Sequence, residues 1–261
     1  MKKDWKGTLR SKEILAALIL IPAIFTILLP IIMMIGVLID PDSFLAEFPG
    51  ASTIMAILNI PAHYNNYLKT AAFLIKWMII PFFLFIPGFT SSFISSDSFA
   101  GEKERKTMES IALLPITKTE LIVGKLLTSF VPSILISFTC FFITGITVNL
   151  MLLPHLDGNL LMFADLADML VGFVLSPLLG ILFIQIGVII SSRAKSVKNA
   201  QSISGSLIVP LFGIIIIQMV NPAFLSPIMI LIISGVMVIL CLLFVKIGSS
   251  LLDIERLILT L

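Results

Sequence analysis

Residues Ile14–Ile39 read ILAALILIPAIFTILLPIIMMIGVLI, a run without a single charged side chain. About 20 apolar residues in a helix cross the roughly 30 Å of a bilayer's hydrocarbon core, so this stretch predicts a membrane-spanning helix. It is too long for the roughly 7–15 apolar residues of a cleavable leader, and no A-x-A site follows it. Working outward, five further stretches read the same way: Trp77–Ser95, Leu121–Asn149, Met169–Ser192, Ile203–Val220 and Pro227–Gly248. The fifth is the shortest, and a re-entrant path stays open for it. The composition agrees. Hydrophobic residues make up 58% and charged residues 12%, against about 45–50% and about 25% in soluble domains, and the mean hydropathy is +1.14. A water-soluble fold cannot hide that much apolar surface. The expected fold is an all-α integral membrane protein of six transmembrane helices, one transmembrane domain over residues 1–261. A net charge of +2 argues against a nucleic-acid partner. Cys140 and Cys241 sit in apolar runs and read as buried small hydrophobes.

The basic residues orient the spans. Lys2, Lys3, Lys6, Arg10 and Lys12 precede the first. Lys103, Arg105, Lys106, Lys118 and Lys125 lie between or beside the second and third. Arg193, Lys195 and Lys198 join the fourth to the fifth, and Lys246 and Arg256 end the chain. All but Lys69 and Lys76 of the 17 basic residues are thus on one side. The positive-inside rule makes that side, with both termini, cytoplasmic. The largest outer segment, Asp40 to Lys76, is expected to carry an interfacial helix over Phe44–Ile57, and Asp157, Asp165 and Asp168 make the next outer segment acidic.

Candidate chemistry is sparse. Gly124-Lys125 lacks the first Gly and the following Ser or Thr of a phosphate loop, those places being Thr119 and Leu126. His63 and His155 have no metal-ligand partners at a recognisable spacing. Lys76 beside Trp77 reads as a boundary anchor. No carboxylate is expected inside a span, so energy for any transport would have to come from elsewhere. Asn149, Gln185 and Gln218 are polar residues within the spans that suit helix–helix hydrogen bonds, the reading expected for most of them, or a mildly polar translocation path. Gly172, Gly180 and Gly187 share one stripe of the fourth span, open to packing within the chain or against a second copy.

The most informative segment is Ser96–Glu120, SDSFAGEKERKTMESIALLPITKTE. Asp97 or Ser98 is expected to cap a helix that Pro115 stops near Leu114, with Glu102 and Glu104 in its early turns. Met108, Ile111, Ala112 and Leu114 recur at helical spacing, which makes the helix amphipathic. A helix in the membrane interface and a docking helix for a soluble partner both fit that pattern. Thr117 and Glu120 read as a capping box for the third span.

Glu102, Glu104, Thr107, Glu109, Leu113, Leu114, Pro115, Gly124 and Lys125 resemble the signature of type-2 ABC transporter permeases. This chain has Lys106 where the family usually has Gly before the Thr. LLDIERLIL at the C-terminus resembles the tail that follows the last helix in that family. The resemblance implies the membrane subunit of an ATP-driven exporter in the plasma membrane, non-catalytic itself, with ATP and Mg held by a separate ABC ATPase in two copies. Residues 1–13 are then an N-terminal interfacial helix, 96–120 the coupling segment and 249–261 a cytoplasmic tail. Glu102, Glu104, Thr107, Met108, Glu109, Ile111 and Leu114 become the residues that meet the ATPase. A second permease subunit completes the path, as a homo- or heterodimer in the bilayer. The substrate is not legible: drugs, peptides, lipids and sodium are exported by relatives of this shape. A membrane scaffold that transports nothing is the alternative.

Overall fold

A computed structural model describes residues 12–107 and 118–251. Among them there is no strand, and six helices are long and apolar enough to cross a membrane: Leu18–Ile39, Asn66–Glu104, Val123–Met151, Leu166–Arg193, Val197–Val220 and Pro227–Lys246. They are called spans one to six. Lys12 belongs to the helix of span one, and the helix of span six runs on to Leu251. The rest of the expected N-terminal helix and C-terminal tail lies outside the described residues. Span five has a turn at Leu207 and Ile208 between helices Val197–Ser206 and Val209–Val220, where Pro210 cannot donate to the backbone ladder.

Prolines shape the helices by a repeated device. Three spans contain a five-residue π-turn: Ile24–Leu28, Ile75–Ile79 and Val171–Leu175. Each ends two residues before a proline, Pro30, Pro81 or Pro177. A proline has no N–H, and its ring crowds the carbonyl four residues back. The helix relieves that crowding by widening one turn, so that the N–H of Leu29, Ile80 or Ser176 reaches the carbonyl of Ile24, Ile75 or Val171.

Span two is the centre of the bundle. It is the least apolar of the six and the most buried, and it packs most extensively on span four, then on spans three and five. In lipid, apolar faces gain nothing by turning inward, so close packing and small polar residues hold the helices together. Thr90, Ser91, Ser92, Ser95 and Ser96 are all buried in span two. Three of these hydroxyls bond within their own helix: Thr90 donates to the Ile86 carbonyl at 2.7 Å, Ser95 to Ser91 at 2.7 Å and Ser96 to Ser92 at 2.6 Å, while the Ser92 hydroxyl has no partner among the described residues. Ser133 of span three bridges to the Thr90 and Ser91 hydroxyls at 3.1 and 2.6 Å. A Cβ on Gly187 would collide with Ser95, one on Gly172 with the Phe141 ring, and Gly180 lies against Ser91. The glycine stripe of span four therefore packs inside this chain. Phe73, Leu74, Phe83, Ile86, Phe141 and Leu179 belong to the large apolar core toward the other end, while Ile216, Ile228, Leu231 and Leu242 on spans five and six are exposed, as a lipid-facing surface requires.

The expected helix over Phe44–Ile57 is two short ones, Pro41–Ala46 and Ala51–Ile57. Pro49 and Gly50 separate them, Gly50 with φ of +79°, a left-handed conformation that glycine adopts without strain. Asp40 caps the first by accepting from the N–H groups of Asp42 and Ser43 at 3.1 and 3.2 Å.

Candidate functional site

The charged segment after span two is the part of the sequence that pointed to function, and the structure changes its reading. No helix begins at Asp97 or Ser98: Phe85–Glu104 is one continuous helix. Aspartate and serine at those positions read as helix caps because their side chains accept from the free N–H groups of a helix start, and packing on span four carries the helix through them instead. Ser191 of span four accepts from the N–H groups of Phe99 and Ala100 at 3.0 and 2.9 Å and donates to the Ser96 carbonyl at 2.7 Å. Asp97 and Glu102 are therefore carboxylates buried inside the long helix, and Asp168 is buried in the first turn of span four. The expectation of no carboxylate within a span is corrected in all three places. Their positions near helix ends explain the miss, since sequence alone places the helix ends too close to the apolar run.

Asp97 and Glu102 belong to a collar of charges at the basic end of the bundle. Glu102 pairs with Lys125 of span three, both nearly inaccessible. The Lys125 Nζ also donates to the Ser98 carbonyl at 2.9 Å and stands 5.5 Å from the centroid of the Phe99 ring. Lys125 is thus an internal partner of span two. Asp97 accepts from both terminal nitrogens of Arg105 at 3.2–3.3 Å, a fork geometry that fixes direction as well as distance. Gly101 leaves room for that pair, since a Cβ there would overlap the Asp97 carboxylate and crowd Arg105. Lys103 donates to the Ser192 and Ala194 carbonyls at 2.7 and 3.3 Å, supplying donors that the end of the span-four helix lacks. Glu104 accepts from the Val197 N–H at 2.9 Å at the start of span five, where the Ser196 hydroxyl oxygen caps Asn199 at 3.2 Å. Within four residues, span two is tied to spans three, four and five.

The helix then stops in a defined way. The Thr107 N–H donates to the Glu102 carbonyl at 2.9 Å and the Lys106 N–H to Lys103 at 3.1 Å, with Lys106 at φ of +52°. This is the Schellman arrangement, in which the left-handed position is usually glycine. Met108, Glu109, Ile111 and Leu114 lie outside the described residues, and so do Leu113, Pro115 and Thr117 of the same motif. The chain is described again from Lys118, where helix Lys118–Met151 carries span three.

The candidate path residues are not brought to one another. Asn149 donates to the Gly145 carbonyl at 2.8 Å and accepts from the Leu161 N–H at 3.0 Å, fastening a loop to span three. Gln185 donates to the Cys241 carbonyl at 3.1 Å, joining spans four and six. Gln218 donates to Pro222 at 3.1 Å and accepts from the Leu225 N–H at 3.0 Å, holding the turn before span six. At that same end, Asn65 donates to the His155 carbonyl and to Asp157, both at 2.9 Å, and His155 stacks on Tyr67 at 4.0 Å. Trp77 joins Phe48 and Phe73 in an aromatic cluster. Lys76 is ion-paired with Asp165, which sequence spacing does not reveal. Burial raises the affinity of the Asp165 carboxyl for its proton, but the Lys76 hydrogen bond, the Ala167 N–H and the Lys76 charge outweigh this and hold it below its ordinary range. Cys140 and Cys241 are buried free thiols, as expected.

No curated protein and no solved structure matches the chain. Residues 1–230 match the family described as ABC-2 family transporter protein. That match takes in spans one to five and only the start of span six, and it includes the collar and the segment that the collar launches. The family implies association with an ABC ATPase, and the chain belongs to the ABC-2 family of transporter membrane proteins.

Proposed function

We propose that this chain is the membrane-spanning subunit of an ATP-driven ABC exporter in the plasma membrane, with the collar end facing the cytoplasm. The observation that carries the reading is the placement of the family signature. It begins in the most buried helix of the bundle and leaves it through a fixed turn at Lys106 and Thr107. A push on the segment after Thr107 acts on Glu102, Lys103 and Glu104, which grip three other spans. Such a joint moves helices as a group, as a two-state bundle needs.

In this reading Met108, Ile111 and Leu114 form the apolar ridge that docks on the ATPase, and Glu109 pairs with a basic group there. Thr107 holds the angle at which the ridge leaves the bundle. Glu102 and Glu104 act from behind, Glu102 through Lys125 and Glu104 through the start of span five. Two permease chains pair with two ATPase chains, and substrate passes through or along the permease interface. ATP and its Mg are bound by the partner, and Asn149, Gln185 and Gln218 position helices near the path.

The test is co-purification of the ATPase with the detergent-solubilised permease, alongside ATP-driven transport in vesicles. Ile111→Asp places an unpaired carboxylate in an apolar contact, at a cost of about 3–5 kcal/mol, so docking falls by roughly a hundredfold or more. Retention of both the ATPase and full transport by Ile111→Asp overturns the reading in favour of a helix that lies on lipid.

A further inference from the structure

At the end of the bundle opposite the collar, a cavity of about 180 Å³ lies between spans two, four and five and the turn before span six. Its polar lining is Asn59, Lys76, Asp165, Asp168, Gln218 and Ser226, and its apolar walls include Ile80, Val171 and Leu225. We propose that this cavity is a binding site for a small organic ammonium ion, with the Asp168 carboxylate as its counter-charge.

The charge arrangement points to a cation. Asp168 is 1% exposed, and its Oδ2 has no hydrogen-bond partner among the described residues. Buried carboxylates are normally paired or hydrogen-bonded, because leaving one bare is costly. The neighbouring groups are engaged with one another. Lys76 is paired with Asp165 and donates to the Leu58 carbonyl at 3.4 Å. The Gln218 amide nitrogen donates to Pro222 and Lys76 carbonyls, and its oxygen accepts from Leu225. One lysine faces two aspartates, so when all three are ionised the cavity carries one unmatched negative charge.

The walls point to an organic cation. A metal ion requires a shell of several oxygens, and Asp165 and Gln218 have theirs committed. An alkylammonium needs less: its N–H groups satisfy one carboxylate, and its carbon body suits the apolar walls. The volume is below the roughly 300–1,000 Å³ of drug-sized sites, so the ligand is small. Two of the three π-turns, Ile75–Ile79 and Val171–Leu175, contribute Lys76 and Val171 to the lining. Such turns recur at functional sites because they re-aim side chains within a helix.

The site does not depend on the ATPase, so its test uses the full chain alone, purified in detergent in amine-free phosphate buffer at neutral pH. Binding of n-butylammonium is measured by calorimetry and by thermal stabilisation, against sodium and tetramethylammonium chlorides at equal ionic strength. Saturable binding of butylammonium is expected. Sodium is expected not to compete, and tetramethylammonium, which has no N–H, is expected to bind at least tenfold more weakly. Asp168→Asn keeps the side-chain shape and is expected to weaken butylammonium at least tenfold. Ala223→Leu, which enlarges a lining side chain, is expected to do the same without touching a charge. Absence of saturable binding, equal binding by sodium, or unchanged affinity in either variant overturns the proposal. If Asp168→Asn does not fold, Ala223→Leu and the ion series decide it.

Discussion

Glu102→Gln tests the collar most directly. The Glu102 and Lys125 side chains are 7% and 10% exposed, so solvent screens their interaction little. The substitution keeps the shape of Glu102 but removes its charge, and leaves the Lys125 ammonium buried. Removing one partner of a buried pair costs about 3–5 kcal/mol. Lys125 keeps its bond to the Ser98 carbonyl and its position by Phe99, which places the expected loss at the lower end, about 3 kcal/mol. Lys125→Met leaves the Glu102 carboxylate without its ammonium and is expected to cost at least as much. The double variant Glu102→Leu with Lys125→Met removes both charges, and buried pairs replaced this way are often neutral or more stable. The assay is reversible unfolding of the purified chain in mixed micelles, followed by helical circular dichroism. A double variant less stable than either single one, or single variants within about 0.5 kcal/mol of the parent, refutes the buried pair as described.

Lys106→Gly relieves the left-handed backbone at φ of +52° and is expected to raise stability by about 1 kcal/mol in the same assay, whereas Lys106→Val lowers it. Gly187→Leu forces a side chain into Ser95 and should prevent recovery of folded protein after detergent extraction, while Gly180→Ala, against a hydroxyl that can turn aside, should be recovered normally. The Asp165 carboxyl is held below its ordinary range, so its contribution to stability is full above the unfolded value near pH 4 and is lost as pH falls through the folded one. Unfolding measured down the acid limb should therefore be flatter in Asp165→Asn than in the parent. Single cysteines at Glu47 and Leu160, both exposed, should react with an impermeant thiol reagent on intact cells, and cysteines at Lys106 and Lys195 should not. Labelling at Lys195 from outside would reverse span five.

The spans were legible because their signal is length and lack of charge, and nothing else in the chain imitates it. Their ends were not. The apolar run of span two stops at Ser95, yet its helix continues to Glu104, because the Ser191 hydroxyl and the Lys125 ammonium arrive from helices distant in sequence. A one-dimensional reading sees Asp97, Glu102, Lys103 and Arg105 as a solvated run. Only the meeting of spans two, three and four turns Asp97, Glu102 and Lys103 toward the other helices. The partner of Lys76 was hidden for the same reason, since Asp165 follows it by the length of two whole spans. The π-turns do carry a sequence signal: a proline well inside an apolar run, as at Pro30, Pro81 and Pro177, forces the question of where the carbonyl four residues earlier will go.

Lys106 joins the sequence pattern to the folded chain. The signature that this segment resembles usually has glycine at that position, and the fold supplies a reason: the residue sits at the left-handed position that ends the helix of span two. Lysine there costs about 1–2 kcal/mol relative to an unstrained conformation, and it is tolerated because the surrounding bonds over-determine the turn. Thr107 reaches the Glu102 carbonyl through both its N–H and its hydroxyl, at 2.9 and 3.4 Å, and Glu102 is held by Lys125. The same residue therefore closes the helix with its backbone and anchors span three with its side chain. Breaking the pair should loosen the turn, and loosening the turn should be visible without unfolding the protein. In Glu102→Gln, amide exchange at Lys106 and Thr107 should rise well before exchange in the middle of span two, while Lys106→Gly should slow it. Equal protection of the turn in the parent and in Glu102→Gln would mean that the ion pair and the helix end are independent, and that the collar does not act as a single joint.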